Sequence, residues 1–116
     1  MKAYYARPIN LYGTPQDVRD IKTLETLGFE VVNPNKEELR ELYNKVGMTA
    51  YLDVVNYCDL VAFRSFPDGK ISAGVAREVE QALTTGKPVL ELPTITEQRI
   101  LSVNDTRSYL SYLGNR

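Results

Sequence analysis

The residues best suited to do chemistry lie between positions 72 and 78. Ser72 is a good helix N-cap, and Gly74 would let a ligand approach the backbone amides that are free where a helix begins. Those amides favour negative charge, so a phosphate could bind there. Glu78 follows Gly74 by one helical turn and can face the same ligand. The spacing predicts an anion site with a carboxylate nucleophile beside it, although Ser72 and Gly74 could also serve only to start the helix.

The composition excludes several other kinds of chemistry. The 116 residues include no histidine, so there is no Ser-His or Cys-His pair and no histidine-containing metal site. The formal net charge of −1 gives no overall field to hold a nucleic acid polymer or an anionic membrane. The single cysteine, Cys58, is expected to pack in the core of a protein from a reduced, cytoplasmic compartment. We therefore expect neither a cofactor nor a metal.

Apolar strand-like segments alternate along the chain with segments of helical period. This alternation predicts a mainly parallel sheet with helices on both faces. The predicted strands span residues 2–7, 29–32, 60–63 and 87–92. The predicted helices span residues 14–27, 39–46, 49–57 and 72–85, with a last helix capped by Asn104 and ending before Gly114. The expected fold is a single α/β domain over residues 1–116, a Rossmann-like or flavodoxin-like three-layer sandwich with four to five strands.

In such sheets, ligands bind beyond the carboxyl ends of the strands. The first strand brings its tyrosines and the residues after it to that edge, and the third brings Arg64 and the loop through Asp68 to Ser72. Either Arg7 or Arg64 could pair with a phosphate there, or be a solvated surface residue. The candidates contributed by the first strand are Tyr4, Tyr5, Arg7, Pro8 and Asn10.

Several stretches resemble the nucleoside 2-deoxyribosyltransferase-like family, and most closely its 2′-deoxynucleoside 5′-monophosphate N-glycosidases. The resemblance covers most of the chain and is carried by YYARPI, GFEVVNP, CDLVAF, SAGVAREVEQA and GKPVLEL. The segment containing Glu78 is similar to the family pattern Gly-x-Gly-x-Glu-Leu-Gly-x-Ala, with Ala76 and Glu80 in place of its second and third glycines. Residues 99–102, RILS, resemble the family's Arg-Val-Leu-Ser segment.

The resemblance implies a role for each matching residue. Glu78 stands at the position of the glycosyl-accepting glutamate, and Tyr4 at that of a tyrosine beside the sugar. Ser72 matches a phosphate-binding serine. Ser102 matches a serine that binds the 5′-phosphate in the partner's site, which implies a homodimer with shared active sites.

One position departs from the family. The family usually carries an aspartate eight residues before the residue that is Asp59 here, and this chain has Tyr51 instead. Asp53 could replace the missing carboxylate if the helix phase differs, and Asp68 in the loop is another candidate. The departure leaves open the assistance to the leaving base and the choice between ribose and deoxyribose.

The resemblance and the residues together favour a hydrolase of nucleotide metabolism. It would cleave the N-glycosidic bond of a (deoxy)nucleoside 5′-monophosphate and release the free base and a sugar 5-phosphate. The alternatives are a deoxyribosyltransferase that exchanges bases, and a non-catalytic nucleotide-binding or sensing module of the same fold. The expected partners are the small-molecule nucleotide and a second copy of the chain.

Overall fold

A computed structural model describes residues 1–92 and 102–114. Within these ranges the chain forms four strands, five α-helices and one short 3₁₀ turn, Ile9–Leu11. The strands are β1 (Lys2–Ala6), β2 (Glu30–Val32), β3 (Leu60–Phe63) and β4 (Val89–Glu91). The helices are α1 (Pro15–Thr26), α2 (Glu37–Val46), α3 (Thr49–Asn56), α4 (Ala73–Thr84) and α5 (Val103–Tyr112).

The four strands form one parallel sheet in the order β2-β1-β3-β4. β1 is central and pairs with β3 from Ala3 opposite Leu60 to Ala6 opposite Phe63. All four residues of β3 are buried, as expected for a strand covered on both faces. The predicted α/β fold with a parallel sheet is therefore confirmed.

Two hydrophobic clusters lie on opposite faces of the sheet. Tyr4, Ala6 and Val61 pack with Val55 of α3 and Val75 of α4. On the other face, Ala3, Tyr5, Leu60 and Ala62 pack with Leu24 of α1. Alternate residues of β1 thus face α3 and α4 on one side and α1 on the other. Helices cover both faces, which confirms the three-layer arrangement.

The predicted caps and stops explain most helix boundaries. The Thr14 side chain accepts a hydrogen bond from the Asp17 backbone N–H at 3.2 Å, and Pro15 occupies the first helical position of α1. Gly47 ends α2 with a φ of 74°, a conformation that favours glycine. The predicted cap of the last helix was wrong by two residues: Ser102, not Asn104, caps α5, and its Oγ accepts from the Asp105 N–H at 3.1 Å.

Helix α5 differs from the other helices because each of its residues is exposed. Val103, Tyr109, Leu110 and Leu113 lie on one side of this helix and are 69%, 55%, 36% and 50% exposed. Among the described residues, no helix is long and apolar enough to cross a bilayer.

Candidate active site

A cavity of about 760 Å³ lies at the carboxyl edge of the sheet. This volume is within the range of sites for small molecules. Its wall combines the end of β1, the segment after β1, helices α2 and α3, and the first two turns of α4. The lining residues are Tyr4, Arg7, Pro8, Ile9, Asn10, Tyr12, Arg40, Tyr43, Asn44, Met48, Tyr51, Phe66, Ser72, Gly74, Val75 and Glu78.

Glu78 reaches this cavity from the second turn of α4. Its side chain is largely buried, since the residue is only 7% exposed. Burial raises the pKa of the carboxyl from 4.5 to about 7, while Tyr4 and Arg7 act in the opposite direction. A carboxyl group that is half ionised near neutral pH is typical of catalytic sites. Glu80, two residues further along the same helix, is exposed.

Tyr4 lies beside Glu78 because the register of β1 directs it towards α4. Its hydroxyl is buried without a partner in full hydrogen-bond geometry, yet it is close enough to Glu78 to lower the pKa of that carboxyl. Burial and Glu78 together raise the pKa of the Tyr4 phenol, which therefore stays neutral. Tyr5 faces the opposite side and donates to Asp20. The structure thus places Tyr4, and not Tyr5, next to Glu78.

The start of α4 forms the adjoining wall of the cavity. The Ser72 Oγ accepts a weak hydrogen bond from the Val75 N–H at 3.4 Å, and so caps the helix. A Cβ built on Gly74 would meet no atom within 4 Å, so protein packing does not require glycine at this position. The space beside Gly74 is the cavity itself. Ser72 and Gly74 therefore line the same cavity as Glu78.

Arg7 lines the cavity, but its guanidinium is held by the protein. The side chain is fully buried and donates to both carboxylate oxygens of Asp17, at 2.8 and 3.0 Å. It also donates to the Asn33 side chain at 2.8 Å. The guanidinium carbon lies 4.5 Å from the Tyr5 ring centre and 4.3 Å from that of Tyr12. Arg7 consequently brings little uncompensated charge to a ligand, and it fixes Tyr12 in the wall.

Besides Tyr5, four predicted site residues do not line the cavity. Arg64 is buried and forms an ion pair with Asp20 through two hydrogen bonds. Asp53 is exposed because it lies two positions after Tyr51 on α3, roughly on the opposite side of the helix. Asp68 is exposed in its loop and pairs with Lys70 at 3.7 Å. Ser102 is the exposed cap of α5, and the preceding residues 99–101 lie outside the described residues.

Helices α2 and α3 supply a wall that the sequence analysis did not assign to the site. We call it the α2–α3 wall, and its residues are Arg40, Tyr43, Asn44, Met48 and Tyr51. The ring centres of Tyr43 and Tyr51 are 5.5 Å apart, with the planes inclined by 44°. The amphipathic period of the α2 segment predicts a helix but does not show that one side of it lines a cavity. The signal that could have identified the wall was Tyr51, at the position where a carboxylate was expected.

The described residues contain no cluster of side chains suited to bind a metal ion. Within residues 1–92 and 102–114, no group of three or more acidic, cysteine or histidine side chains could hold a metal ion. Phenols, amides and two arginines surround one carboxylate, Glu78, in the cavity wall.

Comparison with known proteins identifies a structural relative. No family model and no curated protein sequence matches the chain. A solved structure, the CMP N-glycosidase BcmB of Clostridium botulinum, matches over 100% of both chains, with a TM-score of 0.55 and 20% sequence identity. At this identity the likeness shows that the two chains share a fold.

Proposed function

We propose that the protein hydrolyses the N-glycosidic bond of a nucleoside 5′-monophosphate, releasing the free base and a sugar 5-phosphate. The observation that carries this proposal is the burial of Glu78 in a cavity that also contains the start of α4. A carboxylate can stabilise the positive charge that develops on a sugar, and the start of a helix favours the binding of its phosphate. The shared fold with a CMP N-glycosidase supports the same reaction class.

The proposed reaction begins with substrate placement. The 5-phosphate accepts hydrogen bonds from the free amides at the start of α4 and from the Ser72 hydroxyl. Gly74 leaves room for the sugar to pass over the helix towards Glu78, one turn further on. Asn10 and Pro8, after β1, border the same space.

Glu78 then acts on the anomeric carbon. Positive charge develops on the sugar as the bond to the base breaks, and the carboxylate captures the anomeric carbon as a glycosyl ester. Tyr4 orients the carboxylate from the floor of the cavity. Water attacks the anomeric carbon in the second step and regenerates the Glu78 carboxylate.

Incubation with nucleotides and nucleosides tests this proposal. Purified protein is mixed with the common ribo- and deoxyribonucleoside 5′-monophosphates and with the corresponding nucleosides, and free base is measured by chromatography. We expect base from monophosphates and little from nucleosides, because only the former carry the anion that the α4 start binds. Base exchange that requires an added second base would instead indicate a transferase. Nucleotide binding without turnover would indicate a binding module.

The rate should depend on pH through Glu78. The nucleophile must be ionised, and burial raises its pKa to about 7. The value of kcat/KM should therefore rise about tenfold per pH unit below pH 7 and level off above it. The neighbouring phenols of Tyr4, Tyr12 and Tyr51 have raised pKa values, so they stay neutral over this range. A profile that is flat between pH 5 and 8 would contradict the assignment of Glu78.

The exposed apolar side of α5 and the position of Ser102 lead to a proposed homodimer. A second copy covering Val103, Tyr109, Leu110 and Leu113 would bury this surface. We infer that Ser102 then binds the phosphate in the partner's site, as the family resemblance implies.

Mixing two inactive variants tests this sharing. Ser102→Asp retains a good cap for α5 but places a negative charge against the phosphate, while Glu78→Gln removes the nucleophile. A mixed dimer would contain one intact site, so an equal mixture should recover about a quarter of the wild-type activity. A monomer at assay concentration, or a mixture as inactive as its components, would contradict shared sites.

A further inference from the structure

The α2–α3 wall has no task in the steps described above. Arg40, Tyr43 and Asn44 project from one side of α2, and Tyr51 projects from α3 into the same cavity. Glu78 and the start of α4, on the neighbouring helix, take the sugar phosphate. The aromatic wall is therefore the part of the cavity left for the base, whose flat apolar faces suit the tyrosine rings.

The departing base needs a hydrogen-bond donor. When the bond between the sugar and the base breaks, the electron pair stays on the base, and a donor that stabilises this charge speeds the step. A second carboxylic acid is the usual donor in glycoside hydrolysis. Among the described residues that line this cavity, Glu78 is the only carboxyl group, and it serves as the nucleophile.

Four tyrosine phenols line the cavity and could donate a proton or a hydrogen bond. Their positions show which of them is best placed to reach the base. Tyr4 lies beside Glu78, and Tyr12 covers the Arg7 guanidinium at 4.3 Å. Tyr43 is 44% exposed and packs its ring against Tyr51. Tyr51 is half-buried and lines the same cavity as Glu78. It combines partial shelter from water, a position in the cavity that holds the nucleophile, and a ring packed against that of Tyr43.

We propose that Tyr51 donates a hydrogen bond to the departing base, in place of the carboxylic acid that this cavity lacks. This inference rests on the proposed function and identifies the donor for its first step. Tyr43 holds the Tyr51 ring in position and forms part of the surface against which the base lies.

Charges and protons balance in this scheme. The Glu78 oxygen forms a bond to the anomeric carbon while the carbon–nitrogen bond breaks, and the base leaves as an anion that accepts a hydrogen bond from Tyr51. Water then attacks the anomeric carbon, the ester opens to the Glu78 carboxylate, and the released proton neutralises the base. Tyr51 keeps its own proton throughout. Burial and the nearby Glu78 raise its pKa, which favours a phenol that donates without ionising.

The test compares two leaving groups. One substrate is CMP or its 2′-deoxy analogue, whichever the wild-type protein cleaves faster. The other is the 4-nitrophenyl glycoside of the same sugar 5-phosphate, whose nitrophenolate leaves without help. Tyr51→Phe keeps the ring and removes the donor, and Tyr57→Phe, at the end of α3 and 84% exposed, is the matched control.

We expect Tyr51→Phe to lower kcat for the nucleotide about 100-fold and to change kcat for the nitrophenyl substrate less than about threefold. The dissociation constant for the nucleotide is measured in the Glu78→Gln background, with and without Tyr51→Phe. It should change by less than about threefold, because the aromatic ring that contacts the base remains. Equal losses on both substrates, or no loss on either, would overturn the role of Tyr51 while leaving the glycosidase proposal intact. A wild-type protein that releases neither base nor nitrophenol would overturn both.

Discussion

Replacing Glu78 by Gln should lower base release from a nucleotide at least about a thousandfold, because the amide cannot capture the anomeric carbon. The change preserves the size of the side chain, so the cavity should still accept the nucleotide. The effect should appear in kcat, with the nucleotide dissociation constant nearly unchanged. Initial rates of base release, together with equilibrium binding of the nucleotide, separate these two quantities.

Two controls distinguish lost chemistry from lost structure. Glu80→Gln makes the same replacement at an exposed position of α4 and should retain near wild-type activity.

The second control is stability: the folded Glu78→Gln protein should be more stable than wild type above pH 7. Folding raises the pKa of Glu78 from 4.5 to about 7, so the unfolded chain loses this proton at a lower pH than the folded protein does. The free energy of unfolding of the wild type therefore falls as the pH rises from 4.5 to about 7, and this loss of stability stays constant above pH 7. Removing that cost should gain up to about 3 kcal/mol at pH 8 and nothing near pH 4.

A Glu78→Gln variant that releases base at the wild-type rate would contradict the role of this residue. A large loss accompanied by a lower melting temperature at pH 8 would also count against the interpretation, since it would indicate damage to the fold. Circular dichroism and thermal unfolding of both glutamine variants at the two pH values provide this comparison.

Removing the carboxylate of Asp17 should cause the largest loss of stability among the single changes considered. The side chains of Arg7 and Asp17 are 0% and 5% exposed, and two hydrogen bonds join them. Asp17→Ala leaves the buried guanidinium without its countercharge, which should cost about 3 to 5 kcal/mol. Asp17 also accepts from the Gly13 N–H at 3.0 Å, so the segment after β1 loses an anchor as well.

The exposed ion pair of Asp68 and Lys70 provides the matched control. Its side chains are 58% and 83% exposed, and the charged atoms are 3.7 Å apart. Asp68→Ala should therefore change the free energy of unfolding by less than about 1 kcal/mol. Urea unfolding at pH 7 measures both values. An Asp17→Ala protein as stable as Asp68→Ala would show that the buried pair does not contribute as described.

The sequence predicted those parts of the site that depend on local signals. Ser72, Gly74 and Glu78 belong to a single helix, so their spacing alone brings them together. The strand period predicts that Tyr4 and Tyr5 face opposite sides of the sheet, but it does not say which of them faces α4; the register of β1 in the structure decides this. Once β1 lies in the centre of the sheet, only Tyr4 can reach α4.

Contacts between distant segments were not predictable in this way. Arg64 was a candidate for phosphate because it ends β3, but Asp20, 44 residues earlier, pairs with it in the core. The α2–α3 wall depends on how two helices are packed, and an apolar or aromatic period does not distinguish a core face from a pocket. Ser102 stays a prediction, because its proposed site belongs to a second copy of the chain.

The most direct test of the central claim is to trap Glu78 with a sugar. The substrate is the 5′-monophosphate of cytosine 2-deoxy-2-fluoroarabinoside, in which fluorine destabilises the positively charged transition states and can allow a glycosyl ester to accumulate. Intact-protein and peptide mass spectrometry should show one sugar phosphate per chain, attached to Glu78 in the peptide that contains α4. Base released in stoichiometric amount with no adduct, or an adduct that also forms on the Glu78→Gln protein, would contradict the proposed nucleophile.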